Sequence, residues 1–258
     1  MATKKESLFF NYAGQWSSEF GILHVTMDSS MYEETFVAGR EIVEEQVRGN
    51  SNPYFSHIRE NPLEFDLMFA FEETFDNKVI REILNWLYQG YYQPLYFSEE
   101  PDRIYYCMPI SDSKIVHNGL KEGYVQIKMR CDSPYIYSPM YMTDLFDLSE
   151  SKGKAKVILR NSGDVETFPE VSLTKIGDGK ITIINHSDGG KIFEILNLKD
   201  KEDIYINCEK ELIETSLSGV YRYSNVVGDY LMLMYGDNQL EVEGNCKIKF
   251  RYQNRFRF

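Results

Sequence analysis

The sequence predicts a mainly β protein divided into two domains, and three observations predict it. Apolar residues recur at every second position through much of the chain, one stretch alone repeats at helical spacing, and the second half breaks into short alternating runs separated by turn residues. The 258 residues suit two domains of ordinary size.

The start, "MATKKESLFF", has two lysines without an apolar run after them, so no secretory leader is expected. No later segment approaches the roughly 18 apolar residues of a spanning helix, and membrane insertion is not expected either. "FFNYAGQWSSEFGI" (9–22) alternates aromatic and small residues, carries two glycines and leads into the strand pattern "ILHV". Between Asp28 and Pro62 the pattern dissolves into an acidic, aromatic stretch with three turn signals. It reads as a long arm, about 28–62, whose rings Tyr32, Phe36, Tyr54 and Phe55 need a neighbouring subunit to cover them.

Regular patterns return with "LEFDLMFAF" (63–71), which puts Leu63, Phe65, Leu67, Phe69 and Phe71 on one face of a strand. "DNKVIREILNWLYQG" (76–90) is the single convincing helix, capped by Asp76 or Asn77, stopped by Gly90, and with Trp86 turned to the core. "YVQIKMRC" (124–131) is a second strong strand, with Val125, Ile127, Met129 and Cys131 on one face. Two prolines and a Ser/Glu/Lys/Gly run in 131–154 then place a domain boundary near residue 150, giving domains of 1–149 and 150–258.

Beyond it lie about eight short strands: "KVILR", "VSLTKI", "KITIIN", "KIFEIL", "IYINC", "YLMLMY", "LEVEG" and "CKIKFRY". This spacing predicts a β-sandwich or jelly roll. The last strand puts Cys246, Ile248, Phe250 and Tyr252 on one face, with Lys247, Lys249 and Arg251 solvated on the other.

Charge is shared unequally. Residues 1–149 hold 12 Lys+Arg against 23 Asp+Glu, a balance of −11, while 150–258 hold 16 against 17, a balance of −1. Such a surface opposes nucleic-acid binding, which rests on basic side chains. Cys107, Cys131, Cys208 and Cys246 lie far apart without a C-x-x-C pair and read as reduced core residues.

The sequence carries no phosphate loop, dinucleotide fingerprint, H-E-x-x-H or G-x-S-x-G. His24, His57, His117 and His186 each lack a second histidine at metal-ligand spacing, and Glu99, Glu100 and Asp102 have the composition of a solvated turn. No catalytic, cofactor-binding or metal residue is predicted. A sugar site in the second half would have to use Tyr221, Tyr223, Tyr230 or Tyr235, because both tryptophans lie in the first half.

Together these features resemble the distal tail (Dit) family of siphophages, the long-tailed non-contractile phages. The resemblance rests on Phe10, Asn11, Gly14, Ser17, Ser18, Phe20 and Gly21 before the first strand, the helix at 76–90, the strands "RIYYC" and "YVQIKMRC", and the exit "CDSPYIYSP". In the second half it rests on the turn at Asn161, Gly163, Asp164 and Pro169 and on Gly236 and Asn238; the arm departs from the family, since acids follow Gly39 and Arg40. The resemblance implies an N-terminal β-sandwich-like ring domain with one α-helix and a C-terminal galectin-like β-sandwich.

It further implies a non-enzymatic virion protein, made in the cytoplasm of the bacterial host. Such a protein forms a hexameric ring between the tail tube protein and the tip hub, carries receptor-binding proteins outside, and lets DNA pass through its channel. On that reading the −11 balance of the first domain lines the channel with acid. A carbohydrate-binding host-recognition protein is the alternative, and a tail-associated hydrolase comes third.

Overall fold

The computed structural model describes residues 4–26, 35, 37–149 and 154–257. It falls into two compact units, Met1–Tyr137 with Arg257–Phe258, and Ser138–Phe256. Tyr32 and Phe36 of the expected arm, and residues 150–153 at the expected boundary, lie outside the described residues.

The strands of the first unit are β1 (Phe10–Tyr12), β2 (Gln15–Trp16), β3 (Ile22–His24), β4 (Arg40–Glu45), β5 (Tyr54–Glu60), β6 (Glu64–Phe71), β7 (Gln93–Phe97), β8 (Glu100–His117), β9 (Gly123–Cys131) and β10 (Ile136–Tyr137). One antiparallel sheet runs β2-β1-β7-β8-β9-β6-β3, and β10 pairs with β8. The sheet curls on itself: the His24 N–H at the end of β3 donates to the Leu8 carbonyl, just before β1, at 2.8 Å. Phe65, Leu67 and Phe69 of β6 and Ile127, Met129 and Cys131 of β9 are buried, as their alternation predicts.

The helix α1 (Asn77–Leu87) starts where predicted, because Asp76 accepts from the N–H groups of Lys78 and Val79 at 2.8 and 2.9 Å. It ends before Gly90, and that glycine is not its cap. The Gln89 side chain instead donates to the carbonyls of Asn85 and Trp86 at 3.0 and 2.8 Å, meeting the unpaired oxygens of the last turn.

The opening stretch holds this helix in place. Ala13 and Gly14, with φ of 52° and 83°, form the two-residue turn between β1 and β2, where both central residues must be left-handed. Behind it Trp86 stacks between Phe10 (5.6 Å) and Phe20 (4.3 Å) and donates its indole N–H to the Tyr12 carbonyl at 2.8 Å. The tryptophan is core, as expected from its place on the helix.

The arm corrects the expectation of an irregular stretch. Its described part is a two-stranded antiparallel sheet of β4 and β5 alone, paired from Arg40↔Glu60 to Glu45↔Tyr54. Charged residues interrupt the alternation on both strands, and a bulge at Ser56 shifts its phase, so no period shows in the sequence.

The second unit is a sandwich of β11 (Tyr141–Met142), β12 (Phe146–Asp147), β13 (Lys154–Asn161), β14 (Glu170–Lys175), β15 (Gly179–Asn185), β16 (Lys191–Leu198), β17 (Asp203–Asn207), β18 (Leu212–Thr215), β19 (Val226–Gly228), β20 (Gly236–Glu243) and β21 (Cys246–Tyr252). One sheet is β11-β21-β14-β17-β18 with β12 also on β21; the other is β13-β20-β15-β16-β19. Their inner faces meet in one core that includes Ile183, Phe193, Ile206, Val242, Ile248 and Phe250. Because β11 and β12 pair with β21, this unit gathers chain from before residue 150.

"YLMLMY" (230–235) is not a strand. Leu231 and Leu233 are buried, but apart from one bridge between Leu233 and Thr167 the segment has no ladder. Asparagine amides meet its carbonyls instead: Asn185 donates to Met232 (2.8 Å), Asn161 to Leu233 (3.0 Å) and Asn238 to Met234 (2.7 Å). Of the residues that carry the family resemblance, Asn161 and Asn238 thus converge on one segment from different strands. Gly163 allows the close approach beside them, since a Cβ there would sit 2.3 Å from the Arg255 carbonyl oxygen.

Candidate functional site

The β4–β5 hairpin is the feature of the first unit whose side chains point outward in order. Its base is a cluster around Glu60. One oxygen accepts from Arg40 (2.7 Å) and Arg257 (3.1 Å), and the other from the Tyr135 hydroxyl (2.7 Å). Higher up, Glu41 lies 3.9 Å from Arg59 and accepts from the Asn61 amide at 3.1 Å. Each exposed ion pair contributes little, but several around one carboxylate fix the direction in which the hairpin leaves the unit.

Residues paired across an antiparallel ladder share a face, so the register sorts the side chains. Arg40 and Glu60, Ile42 and Ile58, and Glu44 and Phe55 lie on one side; Val43 and His57, and Glu45 and Tyr54, lie on the other. The bulge brings Phe55 onto the isoleucine face, although it stands three residues from Ile58. Ile42, Phe55 and Ile58 are 69%, 63% and 48% exposed, a row of apolar side chains in water. Sequence reasoning found Tyr54 and Phe55 but missed the isoleucines, whose partnership exists only in the register.

A second feature is an apolar groove of about 230 Å³ between α1 and the sheet. Ile80, Ile83, Leu84 and Leu87 of the helix form one wall, and Phe69, Phe71, Ile115, Val125 and Ile127 the other. The Tyr88 hydroxyl and Ser113 Oγ, 2.9 Å apart, link the walls, and Lys114 also lines the groove. Leu84 and Ile115 are 44% and 40% exposed at its mouth.

The groups considered for chemistry are scattered. His24 is buried, its Nδ1 2.9 Å from the Ser7 carbonyl, and burial holds it below the usual imidazole pKa. His57 is on the hairpin, His117 lies beside the Asn118 carbonyl, and His186 is 3.2 Å from Glu241. Among the described residues no group of three or more His, Cys, Asp or Glu is placed to hold a metal ion. Glu99 is in the turn between β7 and β8, with Glu100 and Asp102 following on β8.

The four cysteines are free and buried. None of Tyr221, Tyr223, Tyr230 and Tyr235 lies in a strand: Tyr221, Tyr223 and Tyr235 are exposed, and Tyr230 packs 5.3 Å from Phe193.

The first unit is thus a curled sheet that projects an apolar hairpin, and the second unit is all-β. Residues 5–133 match the model of a phage tail protein N-terminal domain, and residues 162–256 that of a siphovirus-type tail component, C-terminal domain. Over 252 residues the chain is 32% identical to YomH, a protein derived from the SPbeta prophage of Bacillus subtilis strain 168, covering 98% of this chain and 99% of that one.

Among solved structures it is similar to Dit of phage SPP1, described as a paradigm of the hub adsorption apparatus of phages infecting Gram-positive bacteria. The TM-score is 0.68 at 17% identity, over 96% of this chain and 98% of that one. A chain of the phage P2 baseplate in its activated conformation gives 0.51 at 9% identity, over 94% and 97%. The chain belongs to the distal tail family of siphovirus-type phage tail components. It is a structural protein of the distal tail, and the carbohydrate-binding alternative is not favoured.

Proposed function

We propose that this chain assembles as a six-fold ring that joins the tail tube to the tip complex and leaves a central channel for DNA. The observation that carries this reading is the outward row of Ile42, Phe55 and Ile58 on a hairpin that forms its sheet with no other described strand of the unit. A two-stranded hairpin is marginal in water by itself, and each large side chain covered by a neighbour contributes about 1.5–3 kcal/mol. A ring supplies that neighbour to every copy. The hub and baseplate settings of the two solved relatives support the same placement.

In this reading the first domain makes the ring, the second faces outward to dock tip or receptor-binding proteins, and no catalysis is involved. The protein is made in the host cytoplasm. The −11 balance of residues 1–149 lines the channel, where it repels the DNA backbone and lets it slide. Mass measurement of the purified protein, alone and with tube and tip proteins, tests the assembly; a protein that stays monomeric in every mixture refutes it. A ring whose channel is neutral or positive refutes the acidic lining.

A further inference from the structure

Two of the four cysteines are partners across the first sheet. Cys107 of β8 faces Cys131 of β9 in the last rung of their ladder, and both side chains are fully buried. Partners across an antiparallel ladder share a face, so the two sulfurs meet, and the Cys107 thiol is hydrogen-bonded to that of Cys131. Cys246 instead stands opposite Lys175, and Cys208 lies just past the end of β17.

The backbone shows which kind of rung this is. The Cys131 N–H points away from β8, to the Leu63 carbonyl at 2.8 Å, while that of the next residue, Asp132, points to the Tyr106 carbonyl at 2.9 Å. The Cys107 carbonyl also faces away from β9 and accepts from the Tyr12 hydroxyl at 3.3 Å. Hydrogen-bonded and non-hydrogen-bonded pairs alternate along such a ladder. Cys107 and Cys131 are therefore a non-hydrogen-bonded pair, in which the Cα atoms lie about 4.5 Å apart. That falls at the short end of the range of about 4.4–6.8 Å that a disulfide spans. Side-chain rotation is enough to join the sulfurs, with the strands left in place.

We infer that Cys107 and Cys131 form a site of reversible oxidation, reduced in the cell and closed to a cross-strand disulfide by a low-molecular-weight disulfide outside it. One cysteine, as thiolate, attacks a sulfur of the small disulfide, whose S–S bond breaks and releases one small thiol. The second cysteine attacks the protein-bound sulfur of this mixed disulfide, forms the bond between Cys107 and Cys131, and releases the other small thiol. Two cysteine thiols are oxidised, one small disulfide is reduced to two thiols, and the cysteine protons end on those.

Burial pushes the Cys107 thiol above its usual range, so reaction in the closed sheet is slow. It proceeds through fraying of the ladder at this end, where β9 stops at Cys131 and β7 starts with Gln93, the other neighbour of Cys107. Closure then ties two central strands of the sheet at the point where the chain leaves it. Passage from a reducing cytoplasm to an oxidising medium belongs to the function proposed above, whereas the bond itself does not depend on ring assembly.

The experiment uses the full chain, purified with reductant and then held under native conditions with excess oxidised glutathione. Peptide mapping without reduction is expected to find Cys107 joined to Cys131, with Cys208 and Cys246 still free, and added thiol reductant should reverse the bond. Amide exchange across 105–108 and 129–132 should be at least about tenfold slower in the oxidised protein, because the bond restricts the opened state. Cys131→Ala should abolish that difference and Cys208→Ala should keep it; if Cys131→Ala does not fold, the peptide map of the parent decides. Four free thiols, glutathione left on single cysteines, a bond that forms only in denaturant, or a bond that leaves exchange unchanged each overturns the inference. None of these outcomes bears on ring formation, which mass measurement decides separately.

Discussion

Two hairpins of this protein share local chemistry and differ in where it leads. In β15–β16 the ladder pairs Ile181 with Ile195 and Ile183 with Phe193, and all four side chains are at most 2% exposed against the opposite sheet of the sandwich. In β4–β5 it pairs Ile42 with Ile58 and Glu44 with Phe55, and the three apolar members stand in water. Cross-strand pairing is therefore satisfied equally in both. What differs is the second layer, supplied by the same chain in one case and by no other described element in the other. A hairpin without a second layer is poor structure but a good contact, because covering it removes apolar surface from water at about 25 cal/mol per Å².

The comparison breaks hardest at the sandwich. Phe193→Ala should destabilise the second unit by about 3–5 kcal/mol, read from denaturant unfolding of a fragment spanning 138–256, because the core closes only partly over the lost ring. A loss under about 1 kcal/mol would show that β15–β16 does not depend on the opposite sheet. The fragment should also unfold at lower denaturant when cut to 150–258, since that removes β11 and β12 from the edge of β21.

Arg222→Ala should cost a similar amount. It leaves the buried Glu202 carboxylate without the guanidinium that donates to both of its oxygens, at 2.8 and 2.7 Å. Burial alone would raise the Glu202 pKa, but hydrogen bonds from Arg222, Thr215 and the Lys199 N–H outweigh it and hold the carboxyl below its usual range. A carboxylate depressed on folding contributes stability above its unfolded pKa, about 4.3, and loses it as pH falls through the lower folded value. The fragment should thus lose stability on acidification below about pH 4.3, and Glu202→Gln should flatten that part of the profile.

Smaller again is Asn238→Ala, which strips the amide donor from the Met234 and Gly236 carbonyls and the acceptor from the Met234 N–H. The expected cost is about 1–3 kcal/mol, with faster amide exchange across 230–235. The smallest effect on folding sharpens the comparison most. Phe55→Ala should change the stability of the single chain by less than about 0.5 kcal/mol while shifting the mass distribution away from the ring. A large folding defect there would mean that the hairpin face is already covered within its own chain.

How much of this was legible in the sequence divides along one line. Alternation alone determined the β class and the inward faces of β6, β9 and β21, because a strand's side chains alternate whatever lies beside it. The Asp76 cap was equally readable, since its partners are its own next residues. Tertiary structure decided everything that depends on a remote partner. "YLMLMY" is held by three asparagines from other strands, and the bulge at Ser56 turns Phe55 to the side of Ile42 and Ile58. In each case the deciding hydrogen bond or register belongs to residues that fold together, and a local pattern records only the residues that follow one another.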